Sequence, residues 1–114
     1  MALKIKQSST FWWPVSVMIP IDGGRHDKQT FEVEFARLTV SEADKLVREI
    51  VSGERNEFEG FGEMVKGWKG VVDDGEEVPF SESALKQVLE IPTIATSIIQ
   101  SYKEATSELA RRKN

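Results

Sequence analysis

Two short runs in which every second residue is apolar, separated by a glycine-rich turn, constrain this chain more than any other feature. Between Trp13 and Ile21 the residues Trp13, Val15, Val17, Ile19 and Ile21 alternate with Pro14, Ser16, Met18 and Pro20. A period of two describes a strand with one buried face. Proline cannot donate to a ladder, so the two prolines place this strand at the edge of a sheet. After Asp22-Gly23-Gly24, the residues Phe31, Val33 and Phe35 alternate with Glu32, Glu34 and Ala36 in a second strand. The pair is expected to form an antiparallel hairpin. Its connection is read as running through Lys28, longer than a tight turn and mobile at its tip, which leaves the register open.

Downstream the period changes. Ser41-Glu42-Ala43-Asp44 reads as an N-cap with acidic residues in the first turn, followed by Leu46, Val47, Ile50 and Val51 on one helical face up to Gly53. A second helix is expected from about Glu54 to Trp68, because Phe58, Phe61, Met64, Val65 and Trp68 are spaced by three and four. Trp68, between Gly67 and Gly70, is expected to anchor the core beneath a turn. Asp73-Asp74-Gly75 marks a reversal between two very short strands near Val71 and Val78. Ser81 caps a third helix bearing Leu85, Val88 and Leu89. Pro92 is placed in the first turn of a fourth helix, whose stripe runs Ile94, Ile98, Tyr102, Ala105 and Leu109, widened by Ile99. The expected fold is therefore α+β: an N-terminal antiparallel β-hairpin followed by a cluster of about four helices. At 114 residues one core is expected, a single domain over 1–114 with a hairpin region (1–40) and a helical region (41–114).

Charge narrows the partners. Residues 41–90 hold six basic and thirteen acidic groups, whereas 1–40 hold five and four, and 91–114 four and two. An acidic middle repels phosphate backbones, so no nucleic-acid partner is expected. The Arg111-Arg112-Lys113 cluster reads as cations in the last turn of a helix. With no cysteine, disulfides and thiolate chemistry are excluded, in keeping with a reducing compartment. The apolar run from Phe11 to Ile21 is broken by two prolines and too short to span a bilayer, so neither export nor a membrane partner is expected.

Catalytic chemistry is sparse. The one histidine, His26, sits among polar residues with no nucleophile beside it, and is read as a solvated loop residue. The run Asp73-Asp74-Gly75-Glu76-Glu77 lacks the ligand spacing of a calcium loop and reads as a solvated turn. Glu57 with Glu59, and Glu42 with Asp44, read as solvated helix faces. No metal, cofactor or enzymatic activity is expected. The aromatics say more. Trp12 and Trp13 are adjacent, so on a strand they face opposite ways and cannot share one core. One of them needs other cover, under a helix or against a partner.

The segment Gly67-Trp68-Lys69-Gly70-Val71, the Asp73-Asp74-Gly75 turn, Val78-Pro79-Phe80-Ser81, Leu85 and Leu89, then Pro92, Ile98, Tyr102, Glu104 and Ala105, resemble in order and spacing the tail assembly chaperones of long-tailed bacteriophages. Upstream the likeness extends through the Pro14-Val15 strand, the Asp22-Gly23-Gly24 turn and the stretch from Arg37-Leu38 to Ile50. The resemblance implies a non-catalytic protein of the bacterial host cytoplasm that binds the tape measure protein, keeps it soluble during tail assembly and helps recruit tail tube subunits. It also implies viral morphogenesis as the setting. The alternative is a structural component retained in the virion, a tail completion or tube-associated subunit. The broad apolar stripe of the last helix suggests a homo-oligomer. The contacts expected from the residues are Trp12, Trp13, Phe58, Phe61 and the outer part of the last helix around Ile99.

Overall fold

A computed structural model describes residues 2–107. Strands β1 (Thr10–Ile21) and β2 (Arg25–Ala36) form the hairpin, pairing antiparallel from Thr10 opposite Ala36 to Ile21 opposite Arg25. The connection is only Asp22-Gly23-Gly24, not the longer segment through Lys28. Both glycines take positive φ, 81° and 72°, which lets three residues reverse the chain. His26 accordingly lies on β2, opposite Pro20, rather than in a loop, and it is exposed. Val15, Val17, Phe31, Val33 and Phe35 share one face and are buried, as the alternation requires.

Helix α1 (Val40–Ser52) starts two residues earlier than Ser41 suggested. Thr39 is its N-cap, and Thr39 with Glu42 makes a reciprocal box: Glu42 N donates to Thr39 Oγ1 (3.1 Å) and Thr39 N to Glu42 Oε1 (3.0 Å). Gly53, at φ 79°, ends it in the left-handed region. Leu46 enters the core, but Val51 is exposed.

The expected second helix is split. Helix α2 (Glu57–Met64) is capped by the Asn56 side chain and stops at Val65, where the backbone becomes extended and forms strand β3 (Val65–Lys69). β3 adds to β2, giving a three-stranded sheet in the order β1-β2-β3, so the region beyond residue 40 is not wholly helical. Val65 pairs with Phe35 and Trp68 with Val33, with a one-residue irregularity beside Glu34 and Phe35. That bulge is what sets the three-residue spacing. Residues three apart on a regular strand face opposite ways, but the extra residue brings both Val65 and Trp68 onto the core face, so their spacing imitates a helix. Gly67 lies opposite Glu34, and a Cβ there would displace only the end of the Glu34 side chain.

Strands β4 (Val72–Asp73) and β5 (Glu76–Glu77) form a small separate hairpin, whose two turn residues Asp74 and Gly75 both have positive φ, as such tight turns demand. Trp68 is buried beneath this turn. Its indole N–H donates to the Val78 carbonyl (2.8 Å) and its ring meets Phe80 edge-on. Ser81 caps α3 (Glu82–Leu89), its hydroxyl oxygen accepting from Ala84 N (3.0 Å). Pro92 lies before α4 (Ile94–Thr106), not in its first turn: the reversal from α3 uses Thr93 at φ 76°, a conformation a helix cannot contain. Ile94, Ile98 and Tyr102 are buried along α4, and the helix packs along β1. Leu109 and the Arg111-Arg112-Lys113 cluster lie outside the described residues.

One cluster of buried side chains runs from Val15 on β1 through Phe61 and Leu85 to Tyr102 on α4. The helices meet the sheet on the face that carries Val15, Val33 and Phe35. The opposite face, bearing Trp12, Pro14, Ser16, Met18 and Pro20, is open.

Candidate partner-binding surface

Alternation along β1 sends its odd residues to the core and its even residues outward, so Trp12 stands on the open face of the sheet, 41% exposed. Lys69, one residue past Trp68 on β3, reaches across β2 and sets its Nζ 4.3 Å from the centre of the Trp12 ring. An ammonium over an indole face is attracted by the ring's quadrupole, a contact that steadies the ring while leaving it partly exposed. Beside it, Thr10 Oγ1 donates to Glu34 Oε2 (2.8 Å), and Ser16 and Thr30 share a hydroxyl hydrogen bond (3.0 Å). Pro14, Met18 and Pro20 continue the apolar strip, with Met18 49% exposed.

Trp13 points to the core side, opposite Val33, yet remains 37% exposed because an edge strand has no neighbour on its far side. Phe58 is half-buried on α2, with Lys86 Nζ 6.0 Å from its ring. Ile99 packs partly on the core. Phe61 has no accessible surface at all, since its position in α2 turns it directly beneath the sheet. Buried there, it has no face to offer a partner and belongs to packing. The five residues therefore do not form one surface: the sheet separates Trp12 from the helical side that holds Phe58, Phe61 and Ile99.

The strip missing from the sequence reading is that of Pro14, Met18 and Pro20 beside Trp12. The signal was available, as every even position of β1 except Thr10 and Ser16 is apolar or proline. The odd positions alone already satisfy the period of two, so the even ones carry no further periodic signal.

A few charged or titratable groups elsewhere are tied into the structure. Arg55 bridges the ends of α1 and α2, its Nη1 2.9 Å from Glu63 Oε2 and 3.6 Å from Glu49 Oε1, and its hydrogen bonds to Glu63 hold the guanidinium's pKa above its ordinary value. The backbone N–H of Thr39, aided by its hydroxyl, holds the Glu42 carboxyl below the usual carboxylate range. Burial pushes the Tyr102 phenol up. Among the described residues no group of three or more His, Asp or Glu side chains is placed to hold a metal ion. Nor is any helix among them long and apolar enough to cross a membrane. Comparison with protein-family models, with curated proteins and with solved structures yields no match to this chain.

Proposed function

We propose that this protein is a non-catalytic tail assembly chaperone of a long-tailed bacteriophage, binding the tape measure protein in the host cytoplasm and keeping it soluble during tail assembly. The observation that carries the reading is the exposed Trp12 with the strip of Pro14, Met18 and Pro20 beside it on the uncovered sheet face. A large aromatic ring, steadied by Lys69 and flanked by a flexible methionine, suits contact with apolar segments that vary in shape. The sequence resemblance supplies the setting. Tail tube subunits are a second partner in this reading, and self-association into a homo-oligomer accompanies it.

The test is co-expression with the tape measure protein encoded nearby, followed by a solubility assay and copurification. The wild-type chain is expected to bring the long protein into the soluble fraction, and Trp12→Ala to lose most of that effect while keeping its own fold. A long protein that stays insoluble, with this chain purifying alone, sinks the reading. Stoichiometric amounts of the chain in purified virions would favour a retained tail subunit instead.

A further inference from the structure

Among the described residues the longest free strand edge is that of β1, twelve residues paired with β2 on one side and with no strand on the other. Such an edge is a template for strand addition by another copy or another chain. Which backbone groups face outward is settled by one hydrogen bond. Arg37 N donates to the Ser9 carbonyl (2.9 Å), so the pair just below Thr10 and Ala36 is a hydrogen-bonded pair. Hydrogen-bonded and non-hydrogen-bonded pairs alternate in an antiparallel ladder. The odd residues of β1 therefore bond to β2, and the even ones point their N–H and C=O groups to the free edge.

Both prolines are at even positions. Of the outward positions Thr10, Trp12, Pro14, Ser16, Met18 and Pro20, two have no N–H, and their rings project where an added strand would lie. Only Ser16 and Met18 remain as adjacent donors between them. On β2 the corresponding edge is already taken at Glu32 and Glu34 by β3.

We infer that Pro14 and Pro20 are guards that close the β1 edge to strand addition, so that the protein meets its own copies and its partners through side chains and not through its backbone. The guard matters because the same strand carries Trp12, Trp13, Met18 and Ile21, all exposed. An apolar edge of this length without prolines has the composition of a self-pairing segment. The inference stands independently of the identity of any partner.

Amide hydrogen exchange on the wild-type chain, at low and high concentration, tests it directly. Ser16 and Met18 are expected to exchange rapidly at both concentrations, while the amides of Val15 and Val17, bonded to β2, are slow. Protection of Ser16 and Met18 that rises with concentration would overturn the inference, since it would show the edge in use. A Pro14→Thr, Pro20→Thr double variant, checked for fold by circular dichroism, should form larger species as concentration rises, with exchange at Ser16 and Met18 slowed by about tenfold or more. A folded double variant with the size distribution and exchange of the wild type would also overturn it. If the double variant does not fold, the wild-type exchange data decide.

Discussion

The two faces of the hairpin show how differently one strand can be used. On the inner face Phe11, Phe35 and Tyr102 gather, with Phe35 and Tyr102 rings 5.1 Å apart and nearly perpendicular, and all of Val15, Val33 and Phe35 have lost contact with water. On the outer face, the width of one backbone away, Trp12 stands partly in solvent with Lys69 over its ring, and Met18 is exposed. Aromatic residues thus occur on both faces for opposite reasons. Inside, they are held by the sum of many contacts and their loss leaves a cavity. Outside, their loss leaves only surface, so stability does not explain their presence.

That contrast is sharpest where a charge is introduced. Ile98→Asp, on α4 beneath the inner face, sets an unpaired carboxylate among apolar groups and should unfold the protein, read as loss of the circular dichroism signal at room temperature. A folded species with unchanged unfolding midpoint would refute the placement of α4. A matched truncation pair comes next: Phe35→Ala should cost about 3–5 kcal/mol in urea unfolding, through the cavity it leaves. Trp12→Ala should change stability by less than about 1 kcal/mol while weakening partner solubilisation. If Trp12→Ala destabilises as much as Phe35→Ala, the outer face is not a free surface.

Gly60 probes how tightly the inner layer is packed. A Cβ there would collide with the Ile50 side chain, so Gly60→Ala should cost about 1–3 kcal/mol by forcing α1 and α2 apart, whatever it gains in helix propensity. An unchanged or raised melting temperature would show that the α1–α2 contact yields easily. Tyr102→Phe removes a hydroxyl that donates to the Ala36 carbonyl (3.2 Å) and accepts from Leu38 N (3.4 Å), a link between α4 and the end of the sheet. About 1 kcal/mol is the expected loss. In the wild type, the raised phenol pKa means the unfolded chain releases this proton first. The stability it supports is complete below the ordinary tyrosine pKa and is lost as the pH rises from there through the raised folded-state pKa, a decline that should be smaller in Tyr102→Phe.

The smallest effect concerns the acid side. Because Glu42 is held below the usual carboxylate range in the fold, its contribution is present above its unfolded pKa and is lost as the pH falls through the folded one. Replacing Glu42 by Gln should flatten the acid limb of the stability profile slightly, and an unaltered limb would show the capping box to be open in solution.

Local chemistry was legible without a structure wherever neighbours in sequence decide the outcome. The inner-face alternation of β1 and β2, the edge position imposed by Pro14 and Pro20, the Gly53 and Ser81 caps and the Asp74-Gly75 turn all follow from backbone sterics and hydrogen bonding within a few residues. The Thr39 cap is equally local, since Thr39-x-x-Glu42 is itself a capping-box pattern, two residues before the Ser41 that also fits an N-cap. The short Gly23-Gly24 reversal belongs to the same class.

What tertiary structure decided is where distant segments compete for one backbone. Val65 and Trp68 fit a helix by spacing, and only the open edge of β2, together with a bulge, drew them into a strand. The conformation of Thr93 depends on where α4 must land against β1, which no local rule contains. The fate of the aromatics is of this kind too. Adjacency alone required Trp12 and Trp13 to part, but the arrangement of every helix on the other side of the sheet determined that Trp12 would be left uncovered and Phe61 sealed in. Burial is a property of the assembled chain, because a side chain loses water only when something from elsewhere arrives to replace it.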